Sequence, residues 1–120
     1  MTPLKVTTKL FEARDTVHLI HLNTKSYAEH KALGEFYDSW LDLVDSFIET
    51  YQGKYGRVSG TVSIDCNIAT DSNAYLTELM VFLNTDINTI LDLKIDSDLL
   101  NIVADMKSLV NHTKYLLTLK

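Results

Sequence analysis

Histidines and a row of carboxylates are the residues of this chain whose types and spacing suit chemistry. His18, His21 and His30 fall within thirteen residues, and Glu35, Asp38, Asp42, Asp45 and Glu49 follow at steps of three, four, three and four. Neutral imidazole nitrogen and carboxylate oxygen form a donor set suited to iron, zinc or manganese. Other chemistry lacks a carrier: there is no glycine loop shaped for phosphate, no Cys-x-x-Cys pair and no nucleophile elbow. Cys66 stands alone, so it forms no intrachain disulfide, suits a reducing compartment and reads as a small loop residue.

The elements that position these groups are helices. Four glycines and one proline in 120 residues disfavour a turn-rich β architecture. Thr2-Pro3 is a cap followed by proline at the first helical position, and Val6, Leu10, Ala13, Val17 and Ile20 then recur on one face. Ser26 and Glu29 have the spacing of a capping box. A second helix follows with Leu33, Phe36, Tyr37, Trp40, Val44, Phe47, Ile48 and Tyr51 as its core stripe and Gly53 as its stop. The third carries Leu76, Leu79, Met80, Leu83, Ile87, Ile90 and Leu91. After a break at Ile95-Asp96, Ser97 caps a fourth with Leu99, Ile102, Val103, Met106, Leu109, Val110 and Leu117. The spacing predicts one domain over 1–120, with helices at about 3–24, 27–52, 73–94 and 98–118 and a crossover loop over 53–71. Val58, Val62 and Ile64 read either as a short extended piece or as pegs that hold the loop down.

Loop lengths predict the topology. Short links make antiparallel hairpins of helices one and two and of helices three and four. The nineteen-residue middle loop reaches roughly 60 Å when extended, whereas a 26-residue helix is only about 39 Å long. The third helix can therefore start at either end. A four-helix bundle with one long crossover, the ferritin-like arrangement, is the expectation, and a plain up-down-up-down bundle is the alternative.

At about 100° per residue the five acids of the second helix lie nearly opposite its Trp40/Val44/Phe47 stripe. That is the pattern of any solvated helix face. It also means that these carboxylates do not line the interior of their own bundle, so metal bound there needs ligands from another subunit. Tyr27, Tyr37 and Trp40 read as core or interface aromatics. The net charge of −5 and the absence of a lysine-rich arm argue against direct nucleic-acid binding. The apolar runs are too short for a membrane span and no signal peptide is visible, which predicts a cytoplasmic protein.

The stretch His18-Leu-Ile-His21, Ser26 to His30, Tyr37, Val44-Asp45 and Glu49 resembles the first helical hairpin of Dps proteins, small ferritins that protect DNA in starved bacteria. The resemblance covers Val17–Thr50, with a fainter likeness at Asn111–Lys114. It implies that His21, His30, Asp45 and Glu49 are metal ligands, with His18, Glu35 and Asp38 as outer candidates. It further implies a site shared across a two-fold dimer, the histidines of one copy facing the carboxylates of the other. In this chain the link between the two histidines is shorter than in the family. Leu22 replaces a tryptophan, Gly34 an acid and Thr50 an arginine. Such traits fit a reduced relative of the kind a bacteriophage carries, which would place it in the host cytoplasm.

Two functions follow as expectations. The first is a Dps-like homo-oligomer, a dimer at least and a shell if it stores iron. Such a protein binds Fe(II), possesses ferroxidase activity and sequesters the oxide; zinc or manganese are the other ions that suit the donors. The second is a non-enzymatic helical interaction protein, of phage or cellular origin, whose acidic face binds a partner.

Overall fold

The computed structural model describes residues 1–119 and is all-helical. Helix α1 spans Pro3–Asn23, α2 Tyr27–Tyr55, α3 Ser72–Asn84 and α4 Ser97–Leu116, with a short 3₁₀ helix at Asp86–Ile90. No strand occurs among the described residues, so Val58, Val62 and Ile64 do not form one. Val58 is half-buried, while Val62 and Ile64 stay largely exposed.

Local signals set the first two helix starts as expected. Thr2 accepts a hydrogen bond from the Lys5 amide, with Pro3 in the first turn. Ser26 Oγ accepts from the Glu29 amide, but only this half of the capping box forms. The Glu29 carboxylate instead accepts from Ser72 Oγ at 2.7 Å, and the Ser26 amide donates to Thr24 Oγ1. Helix α2 runs through Gly53 and ends at Gly56, whose φ of +93° favours glycine. The predicted stop at Gln52 is thus one turn short. At 29 residues and about 1.5 Å per residue α2 spans the 42 Å long axis of the molecule.

The expected third helix is interrupted at Thr85. Asn84, Thr85 and Asp86 are short polar residues that compete for backbone groups; Thr85 Oγ1 donates to the Val81 carbonyl and Asn88 Nδ2 to the Asn84 carbonyl. Ser97 is the first residue of α4, not its cap. Asp96 occupies the cap position, and its carboxylate is engaged elsewhere.

Hydrogen bonds between distant residues establish the directions of the helices. From Gly56 the chain returns along α1: Thr61 and Ser63 share a groove with Leu4 and Thr8, and Cys66 Sγ lies 3.8 Å from the Glu12 carbonyl. Asn23 Nδ2 then reaches the Ile68 carbonyl near the far end of α1. The Ser72–Glu29 bond starts α3 beside the start of α2. Lys54 meets Asp96 and Asp98 where α4 begins, and Lys114 reaches Thr77 Oγ1 near the end of α4. Helix α3 therefore runs parallel to α2, and α1 and α4 run opposite to both. The connection from α2 to α3 thus runs back along α1.

Every apolar residue assigned to the core face of α1 is buried, as are Leu33, Phe36, Trp40, Val44 and Phe47 of α2. Leu76, Leu79, Phe82, Leu83 and Ile87 meet them from the α3 side, and Leu99, Val103, Met106 and Val110 from α4. Trp40 has no exposed surface, stacks on Phe36 at 5.3 Å and donates its indole N–H to the Leu10 carbonyl at 3.0 Å. Trp40→Ala is expected to cost about 3–5 kcal/mol, and Trp40→Phe clearly less. Urea denaturation of both variants checks this, and a loss under ~1 kcal/mol for the alanine contradicts the packing.

Candidate functional site

The hairpin of α1 and α2 brings the three sequence-predicted histidines together. His21 Nδ1 lies 2.6 Å from the His30 carbonyl, and His30 Nδ1 lies 2.8 Å from the His21 carbonyl. The two rings stack at 3.8 Å with only 16° between their planes. A carbonyl can only accept, so each Nδ1 carries the proton and donates it. In the neutral ring this leaves Nε2 as the free lone pair on both histidines. His30 also satisfies a carbonyl in the last turn of α1, where helix carbonyls lack intrahelical partners.

His18 stacks on Tyr37 at 4.1 Å, and Tyr37 meets His21 edge-on at 5.3 Å. Tyr37 thus joins the site as a ring that supports two histidines. Gly34 explains why the pair closes so tightly. A Cβ there would lie 2.9 Å from His21 Cε1, so the imidazole occupies space that any other residue at 34 would fill.

The carboxylates do not join the histidines within one chain. Glu35, Asp38, Asp42, Asp45 and Glu49 are all exposed, on the side of α2 away from the core, as their periodicity predicts. From His30 to Asp45 the helix advances about 22 Å. Among the described residues no three His, Cys, Asp or Glu side chains converge on a single-chain metal position. His21 and His30 meet at the α1–α2 turn, whereas Asp45 and Glu49 lie far along α2.

A second polar cluster, which the sequence reading missed, lies at the opposite end of α2. Asp96 is fully buried and accepts from the Asp92 amide, from Lys54 Nζ at 2.8 Å and from the Tyr55 hydroxyl at 2.7 Å. Lys54 also donates to the Ile95 carbonyl and to Asp98. Burial pushes the Asp96 carboxyl up, but the Asp92, Lys54 and Tyr55 hydrogen bonds together outweigh it and hold the group at about 2. The hydrogen bond to Asp96 is the main reason the Tyr55 hydroxyl is pushed up to about 12. The Lys54 hydrogen bond likewise holds Asp98 below its ordinary value. A lysine at a helix end and an aspartate 42 positions later carry no local signal of this pairing.

Comparison with known proteins places the chain in a family. A family model described as "Family of unknown function (DUF5856)" matches residues 21–117, most of its length. The chain belongs to this family. The matched region begins at His21 and includes His30, the acidic row of α2 and the Lys54–Asp96 cluster, but not His18. The chain is also similar to an "Uncharacterized 14.6 kDa protein in mobD-ri intergenic region" of Enterobacteria phage T4, 44% identical over 48 residues. That alignment covers 40% of this chain and 38% of the phage protein. No solved structure matches. Among the described residues no helix is long and apolar enough to cross a membrane.

Two measurements check these clusters. Nitrogen NMR at alkaline pH should show His21 and His30 protonated at Nδ1, and Gly34→Ala should remove that signature from His21; an unchanged spectrum means the ring is not seated over Gly34. Asp96 is held below its unfolded value of about 3.9, so its stabilisation is present above about pH 4 and lost as pH falls towards 2. Denaturation midpoints of the wild type should fall over that interval, and Asp96→Asn should flatten the decline.

Proposed function

We propose that this chain is a ferritin-like protein of the Dps kind that binds divalent metal, iron foremost, at a site shared between two copies. His21 and His30 of one copy provide imidazole nitrogens, and Asp45 and Glu49 of the other provide carboxylate oxygens. His18, Glu35 and Asp38 stand as outer groups. The observation that carries this reading is the hydrogen bonding of the two rings. Each Nδ1–H is engaged by a backbone carbonyl, which orients the ring and leaves Nε2 for an ion, as is general for ligating histidines.

Further features support it. The carboxylates face away from their own core, where a second copy can meet them. The parallel α2 and α3 joined by a long crossover match the ferritin-like arrangement. Ferrous iron is then the substrate, oxidised by dioxygen or peroxide and retained as oxide if the subunits close into a shell.

The test uses complementation. His21→Ala and Asp45→Ala should each abolish Fe(II) uptake in anaerobic titration. In a mixed two-fold dimer of the two variants, one site loses both halves and the other is intact. Random mixing therefore restores about a quarter of the wild-type sites. Wild-type protein that is assembled yet takes up no Fe(II) rejects the reading. That result favours the acidic face of α2 as a non-enzymatic protein-interaction surface.

A further inference from the structure

The corner between the 3₁₀ helix and α4 holds two aliphatic side chains in water on an unusually well-anchored backbone. Leu93 is 73% exposed and Ile95 62%. The Ile95 carbonyl accepts from Lys54 Nζ at 3.0 Å, the Lys94 amide donates to Asp92 Oδ1, and the Asp92 amide donates to the buried Asp96. The backbone amides of Ile95 and Asp96 both donate to the Asp92 carbonyl. Apolar side chains carried on an anchored backbone have less entropy to lose on binding, and exposed apolar surface of this kind marks interaction sites.

A complementary recess adjoins this projection. Leu4, Tyr51, Tyr55 and Val58 line a shallow pocket of about 270 Å³, with Arg57 also in its wall. Tyr55 links the two features, since it lines the pocket and its hydroxyl donates to Asp96, the residue after Ile95. Charge is complementary as well. Arg57 and Asp92 are both exposed, and neither has an ion-pair partner among the described residues.

We propose that this corner docks a second copy of the same chain about a two-fold axis. Leu93 of each copy enters the pocket of the other, with Ile95 against its margin, and Arg57 of each faces Asp92 of the other. A two-fold contact requires one patch to carry both halves of the fit, and this patch has a projection beside a recess and both signs of charge. The contact uses none of the residues of the metal reading and stands or falls apart from it.

Sedimentation equilibrium of the full chain tests this with exposed-residue variants. Leu93→Asp should weaken self-association at least about tenfold, as expected for an anchor side chain. Arg57→Glu should weaken it too, and the swap Arg57→Glu with Asp92→Arg should restore it. The proposal is overturned by a wild type that remains monomeric, by a Leu93→Asp curve superimposable on the wild type, or by a swap no tighter than Arg57→Glu alone.

Discussion

Burial of Leu33, Phe36, Trp40, Val44 and Phe47 consumes one side of α2 along nearly its whole length, and most of the molecule is arranged around that stripe. Helices α1 and α4 pack against α2, and the indole of Trp40 ties α2 to the backbone of α1. Because the apolar side is committed inward, the carboxylates between those positions have only one direction available. Their exposure is therefore a consequence of core packing, and any ion they hold must be shared with something outside the chain.

The hairpin end shows a different economy. Here the helices close through polar and aromatic contacts, each imidazole donating to the other's carbonyl while the rings stack. Such reciprocal bonding works only if the rings come close to the α2 backbone, and Gly34 makes that approach possible. The arrangement serves the hairpin whether or not an ion binds. It also leaves two oriented nitrogens at the margin of the fold, the feature from which a metal function can be argued.

At the opposite end the structure relies on a buried charge. Asp96 is removed from water but surrounded by an ammonium, a phenol and an amide, so its desolvation is offset by hydrogen bonds that favour the ionised form. The cluster joins the last turn of α2 to the first of α4 and stiffens the corner between them. One consequence is that Leu93 and Ile95 project from a rigid base. The two ends of α2 thus carry the two chemically distinctive parts of the molecule, one of stacked histidines and tyrosine, the other ionic and apolar. The family is described only as one of unknown function, so the chemistry of both ends rests on geometry.

The sequence alone determined the helix faces, the Thr2 and Ser26 caps and the outward direction of the acids. These features depend on 3.6-residue periodicity and on bonds spanning three or four residues. It also indicated that residues 53–71 could span the bundle, and a loop of that length permits either direction for α3. Tertiary contacts decided the direction, through Asn23 to Ile68 and Glu29 to Ser72. They also decided matters that local rules misjudged. Glu29 served α3 and not its own helix, Ser97 opened α4 rather than capping it, and α2 ran past Gly53 to Gly56. The pairing of His21 with His30 over Gly34 was equally beyond the sequence, because a histidine and a glycine thirteen positions apart have no signature of contact until two helices fold together.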